Sequence, residues 1–158
     1  MLGNIANRLA EANTPDDLII AAIDKTGFND LGPLLPQSGH VQAKFAAEDY
    51  APLSDKTLSE LTELIKSATK GQSGERPHLL FVIDGFDYLG AETADMIVHA
   101  AEAHTNVSMA VAILDPVHDL GHPDGTIQML GIDGPGEFRC DNVFGKAFYQ
   151  PQHASTDQ

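Results

Sequence analysis

The chain has 158 residues, and its 9 basic and 23 acidic residues give a formal net charge of −14. This length suits one domain with a buried core, and the charge argues against autonomous binding of nucleic acid, because Lys and Arg supply most of the affinity for phosphates. The single cysteine, Cys140, excludes an internal disulfide, and no apolar run approaches the roughly 20 residues of a membrane span.

The N-terminal residues predict an amphipathic helix. Within residues 1–12, Leu2, Ile5 and Leu9 recur at helical spacing and therefore share one face. Pro15 lies in the turn that follows and ends the helix.

Two strands are predicted next. Residues 18–23 (LIIAAI) are continuously apolar and run into Asp24, a pattern typical of a strand that is covered on both faces. Residues 25–39 contain three glycines and two prolines, which predicts a loop. The alternating run HVQAKF, residues 40–45, predicts a short edge strand.

The middle of the chain predicts a helix, a strand, a second helix and a second strand. Ser54 is a candidate N-cap for the first helix. Residues 79–84 read as a buried strand, residues 91–103 as a helix and residues 107–114 as a strand. The predicted apolar stripe of the first helix consists of Leu58, Leu61, Leu64 and Ile65.

Three apolar strands separated by helical stretches predict an α/β fold, a parallel sheet with helices on both faces. Beyond Asp115 the pattern changes to the short alternating segments 126–132 and 137–150, which predict a C-terminal β-hairpin. We expect residues 1–150 to form the domain and the polar residues 151–158 to be a flexible tail.

Asp24, Asp84 and Asp115 each follow directly on an apolar run. Ligands of open parallel sheets bind beyond the carboxyl ends of the strands, so Asp84 is a candidate for contact with a phosphate-bound metal. Aspartate also begins turns and caps helices well. The spacing alone leaves both interpretations open.

A second group of candidate metal ligands lies in the segment HDLGHPD. His118, His122 and Asp124 supply suitable atoms, but Gly121 and Pro123 oppose the helix that would bring the two histidines onto one face. We therefore expect no metal site there.

The sequence contains no phosphate-binding loop of the form G-x-x-x-x-G-K-[ST]. Its late Gly145-Lys146 pair is followed by Ala147, where that motif requires a hydroxyl. A site at Asp84 would therefore lack the backbone amides and the lysine that hold a triphosphate.

The order of the segments resembles the FtsK/SpoIIIE family of P-loop translocases downstream of the phosphate loop. A helix and an Asn-Thr-Pro-acidic turn lead into a strand that ends in Asp, and a Gly-His-Val, a Walker B-like strand and a further strand follow. The closing GPGEF is similar to the family's Pro-Gly turn. Within the family, DGFDYL looks like the degenerate Walker B segments of the ATPase modules of EccC, the motor of type VII secretion.

The resemblance implies a RecA-like P-loop NTPase-type sheet without the P-loop strand, with the strand at Leu79 between the other two apolar strands. It makes Asp84 and Asp87 a vestigial Walker B pair with Asp24 nearby, because Gly85 stands where an active member carries the Glu that orients water. It implies no catalytic residue and no bound metal in this chain. ATP and magnesium would bind only if a longer chain supplied the phosphate loop.

The function implied by the resemblance is that of a non-catalytic module of a cytoplasmic secretion or translocation motor. Such a module acts by packing against neighbouring ATPase modules or by binding a protein substrate, and reaches the membrane or an oligomer only through its parent assembly. Two alternatives remain. One is a truncated but active DNA translocase, and the other is a fragment of a STAND/NACHT-like signalling NTPase. The second alternative arises because the segment DGFDYL also resembles the Asp-Gly-x-Asp-Glu motif of that class.

Overall fold

The computed structural model divides the chain into two compact units, residues 1–119 and residues 120–158. The residues that the structure describes are 2–26, 31, 39–46, 53–70, 77–113, 127–130, 137–140 and 147–148.

The first unit contains a four-stranded parallel sheet with the order β2-β1-β3-β4. This order confirms the predicted parallel α/β arrangement and the position of the Leu79 strand between its two apolar neighbours. It also confirms the short strand at the edge, where β2 pairs with β1. The strands are β1 Leu18–Asp24, β2 Val41–Ala46, β3 His78–Asp84 and β4 Val107–Ala112.

Three α-helices accompany this sheet, α1 Leu2–Ala12, α2 Asp55–Thr69 and α3 Ala91–Ala103. A single turn of 3-10 helix, Phe86–Tyr88, follows β3. The predicted N-cap of α2 is confirmed, since the Ser54 side chain accepts a hydrogen bond from the Thr57 amide. Leu61 is the only fully buried member of the stripe predicted for α2, and the other three are half-buried.

Helix α1 covers one face of the sheet. Its residues Leu2 and Ala6 belong to a core cluster with alternate residues of β1 and β3, and Ala110 and Ala112 of β4 pack against that cluster. The crossovers from β2 to β3 and from β3 to β4 run in the same direction along the sheet, so right-handed connections place α2 and α3 together on the opposite face. Both faces of β1 and β3 are consequently covered, which explains their continuous apolar sequences.

His40 forms hydrogen bonds that connect the turn after α1 with the strands at the start of the sheet. Its ring is 6% exposed, and its Nε2 lies 2.9 Å from the Asn13 carbonyl oxygen, which can only accept a hydrogen bond, so Nε2 carries the proton. The carbonyl of His40 accepts a hydrogen bond from the Ile20 amide at 2.8 Å. The histidine of the Gly-His-Val segment thus has a structural task in this fold.

The second unit contains a three-stranded antiparallel sheet with the order β5-β6-β7. The prediction of a terminal hairpin captured the antiparallel pairing but not the third strand. Asp115, His118, His122, Asp124 and residues 151–158 lie outside the described residues. The strands are β5 Ile127–Leu130, β6 Glu137–Cys140 and β7 Ala147–Phe148.

None of the helices in the described part of the chain combines the length and the apolar character needed to cross a membrane.

At the amino-terminal end of the sheet, His78 of β3 faces Ser108 of β4. The His78 Nε2 lies 2.9 Å from the Ser108 Oγ. Partial burial lowers the pKa of His78 from its ordinary value of 6.5, because desolvation disfavours the imidazolium. The folded state therefore binds this proton more weakly than the unfolded state does.

We predict a pH-dependent stability that His78 controls. The stabilisation due to its lowered pKa is complete above the unfolded value of 6.5 and is lost as the pH falls through the folded value. Chemical denaturation of wild type and His78→Gln between about pH 7.5 and pH 5 should show the wild type losing more stability on acidification than the variant. His99→Gln, at an exposed histidine of α3, is the control, and an equal effect of both variants would contradict the prediction.

Candidate functional site

The candidate site lies at the carboxyl end of the parallel sheet, where β1 and β3 finish at the same level. Asp24 and Asp84 are register partners, each the last residue of its strand. Asp24 is 5% exposed and Asp84 is half-buried. The structure thus brings together Asp24 and Asp84, the first two carboxylates of the candidate set Asp24, Asp84 and Asp87. They lie at the edge where a parallel sheet carries its ligands.

Thr26 joins these two carboxylates. Its Oγ1 lies 3.0 Å from Asp24 Oδ1 and 3.1 Å from Asp84 Oδ2, and its backbone amide donates to Asp24 Oδ1 at 3.0 Å. A hydroxyl carries one proton, so Thr26 donates to one carboxylate at a time or shares the proton between them. The bridge links the two carboxylates and restricts the orientation of both.

Lys25 lies between Asp24 and Thr26, and its side chain is 2% exposed. Its backbone amide donates to the Asp84 carbonyl oxygen at 2.9 Å, which extends the β1–β3 ladder past the end of β1. Burial of an ammonium group is costly unless opposite charge or hydrogen bonds compensate it. Lys25 is one of the buried charged residues of this fold, together with Asp24.

Gly85 follows Asp84 in a left-handed backbone conformation, with φ of 78°. A Cβ atom at this position would lie 3.0 Å from Thr26 Cγ2, 3.1 Å from Tyr88 Cδ2 and 3.3 Å from Lys25 Cβ. The conformation favours glycine, and a side chain would also require Thr26 and Tyr88 to shift by a few tenths of an ångström. The chain turns here because position 85 is glycine.

Asp87, the third selected carboxylate, belongs to the 3-10 turn and is half-buried. Its neighbours Phe86 and Leu89 are each 1% exposed, so the turn is anchored by apolar side chains. Gly90, with φ of 81°, then begins α3. The packing of the turn therefore sets the position of Asp87, which lies three residues after Asp84 and outside the strand.

Sequence reasoning did not select Thr26 or Lys25. An aspartate can accept a hydrogen bond from the amide two residues later, as Asp24 does from Thr26, but any residue except proline supplies that amide, so the sequence carries little indication of this Asx turn. The bridge to Asp84 could not be read from the sequence, since it depends on the register of β1 against β3. The burial of Lys25 carried no sequence signal.

Two carboxylates at neighbouring strand ends supply one part of what a nucleotide-bound magnesium requires. Magnesium commonly takes one or two carboxylates together with phosphate oxygens of the substrate, and Asp24 and Asp84 could supply the carboxylates. In the described part of the chain, His, Cys, Asp and Glu side chains form no group of three or more that could hold a metal ion. The phosphates would need a binding loop that the sequence lacks.

We predict that the Thr26 hydroxyl stabilises the fold through its two carboxylate contacts. Thr26→Val has nearly the same shape but leaves Asp24 and Asp84 without this donor, so the free energy of unfolding should fall by about 1–3 kcal/mol. Thr26→Ser retains the hydroxyl, so its free energy of unfolding should fall by clearly less than that of Thr26→Val. Urea denaturation of the three proteins provides the measurement, and equal losses for the two variants would show that the methyl group, rather than the hydroxyl, matters.

The chain was also compared with known proteins. Protein-family models, curated proteins and solved structures yield no match.

Proposed function

We propose that this chain is a non-catalytic α/β module, similar to the degenerate ATPase modules of FtsK/SpoIIIE-type motors, and that it works by binding other protein segments. Its sheet keeps the carboxylate-bearing strand ends of a nucleotide site. The groups at those ends serve the internal bridge through Thr26 and the turn at Gly85.

The observation that carries this proposal is the environment of Gly85. An active member of the family places the glutamate that orients the attacking water at this position. Here the backbone is left-handed, and Thr26 Cγ2 and Tyr88 Cδ2 would lie 3.0 and 3.1 Å from a Cβ atom. A glutamate would have a strained backbone at this position and would require its neighbours to shift by a few tenths of an ångström, so the local conformation disfavours this catalytic group.

The groups that would bind the nucleotide phosphates support the same proposal. Phosphoryl transfer depends on positioning and on electrostatic stabilisation of the phosphates by a loop, a lysine and a metal. The 158 residues contain no G-x-x-x-x-G-K-[ST] segment. With neither the loop nor the water-orienting glutamate, the carboxylate pair has no reaction to perform.

In this proposal the partners are proteins. The net charge of −14 repels nucleic acid and favours partners with basic segments. Neighbouring ATPase modules or a protein substrate of a cytoplasmic translocation machine fit that description.

We predict that the chain neither binds nor hydrolyses ATP appreciably. Isothermal titration calorimetry with ATP and magnesium should give no binding isotherm at concentrations where P-loop proteins saturate, because the groups that hold the phosphates are missing. Micromolar, magnesium-dependent binding would overturn the proposal and would favour the active-translocase or signalling-NTPase alternatives.

A second prediction concerns Asp84. Asp84→Asn retains one acceptor oxygen for Thr26, so its stability should fall by no more than about 1 kcal/mol, and magnesium should leave the melting temperatures of wild type and variant unchanged. At a live magnesium site, by contrast, removing one of two repelling carboxylates would be neutral or stabilising without the ion.

Thermal melting with and without magnesium distinguishes the two cases, and Asp95→Asn, at an exposed aspartate of α3, is the matched control. A magnesium-dependent rise in melting temperature in the wild type alone would contradict the prediction.

A further inference from the structure

The outer edge of β4 offers backbone groups for another strand. The Leu79 amide of β3 donates a hydrogen bond to the Asn106 carbonyl oxygen. The register partners of Leu79, Phe81 and Ile83 are Val107, Met109 and Val111. In a parallel ladder a residue bonds to the two residues that flank its partner. The amides of Met109 and Val111 therefore point away from β3, to a side of β4 that no strand of the described part occupies.

Burial across the sheet falls at this same edge. Every residue of β1 is buried, as are the five central residues of β3, whereas only Val107 is buried in β4. The remaining residues of β4 are half-buried although the strand SMAVA carries no charge and no proline. Edge strands of soluble proteins usually carry such residues to discourage pairing.

Helix α1 presents apolar side chains beside this edge. Ile5 and Leu9 are the exposed large hydrophobic residues of the described chain, at 36% and 39%. The buried side of α1 is centred on Leu2, Gly3 and Ala6. Because α1 runs antiparallel to the strands over this face, the right-handed rotation of the helix turns Ile5 and Leu9 to the β4 side.

Helix α3 borders the other face of the same edge. Its Met96 Sδ accepts a hydrogen bond from Thr62 of α2, so this side of α3 faces α2. By helical spacing, Val98 and Glu102 lie one turn apart on the side of α3 away from Met96; Val98 is half-buried and Glu102 is exposed. A strand added at β4 would therefore have Ile5 and Leu9 on one face and Val98 on the other, with the exposed Glu102 one turn further along α3.

The elements around this edge carry a net negative charge, since the one basic residue of α1, Arg8, is paired with Glu11. Residues 77–113, which form β3, α3 and β4, contain five acidic residues and neither Lys nor Arg. A polypeptide that adds to β4 gains from positive charge next to its apolar residues. A second copy of the chain, with a net charge of −14 of its own, would instead be repelled.

We propose that the outer edge of β4 binds an extended, apolar segment of another protein flanked by Lys or Arg, which adds as a fifth strand. The backbone groups of Met109 and Val111 pair with it, Ile5, Leu9 and Val98 cover its side chains, and Glu102 attracts its basic end. This inference rests on the proposed protein-binding function and names the surface and the chemistry of the partner.

The first test is amide hydrogen exchange of the full chain by NMR. The amides of Met109 and Val111 should exchange at least about 100-fold faster than those of Ala110 and Ala112, which bond to β3. Slow exchange of all four amides in a monomer would mean that another part of the chain already covers the edge. Slow exchange that appears only with concentration-dependent dimerisation would assign the edge to a second copy, and either result overturns the proposal.

The second test uses a synthetic seven-residue strand of Val, Ile and Thr with two lysines at each end, and the same strand with glutamates as control. The lysine peptide should protect the Met109 and Val111 amides, and its affinity should fall as salt is raised. The glutamate peptide should bind at least about tenfold more weakly, since its ends face Glu102 and the acidic α3.

Two variants locate the contact. Val111→Pro removes an outward amide and leaves the ladder to β3 intact, and it should weaken the lysine peptide at least about tenfold. Glu102→Lys, at an exposed position, should reduce or reverse the preference between the two peptides. If the peptide does not bind, or if neither variant changes its binding, the proposal is wrong while the absence of ATP binding still stands. ATP binding would overturn the proposed function without altering the exchange rates at β4.

Discussion

The pairing of β1 with β3 is the constraint on which the rest of the structure depends. The two strands match residue for residue from Leu18 and His78 to Asp24 and Asp84, and both are covered on two faces. A shift of one residue would move every apolar side chain to the opposite face. Because that shift would leave α1 without its complementary surface, the register is strongly specified, and the positions of both strand-end carboxylates follow from it.

The same register determines the polar chemistry at the end of the sheet. Thr26 can reach Asp84 only because β1 and β3 finish together, and the Lys25 amide continues the ladder for the same reason. Two neighbouring carboxylates would otherwise repel each other in a partly desolvated place. The Thr26 hydroxyl lies between the two carboxylates and can donate its proton to either of them, which offsets part of this repulsion.

The sequence predicted the elements of the first unit well, because their signals are local. Continuous apolar runs identified β1, β3 and β4, and the cap at Ser54 marked the start of α2. The order of the strands came from a family resemblance, which no match to a known protein supports. The sequence did not predict the Thr26 bridge, the burial of Lys25 or the third strand of the second unit, since each depends on contacts between residues far apart in the chain or on burial that composition does not report.

The turn at Gly85 limits the routes by which this sequence could change. A residue other than glycine in the left-handed conformation costs roughly 1–2 kcal/mol, and its Cβ atom would also require Thr26 and Tyr88 to shift by a few tenths of an ångström. A substitution that introduced an acidic side chain would therefore lower stability. The near atom of Thr26 is its Cγ2 methyl group, so a serine at position 26 would relieve that contact and keep the hydroxyl that links the two carboxylates. The left-handed backbone would remain, and the conformation of the turn, more than the space around it, is what separates position 85 from one that carries a glutamate.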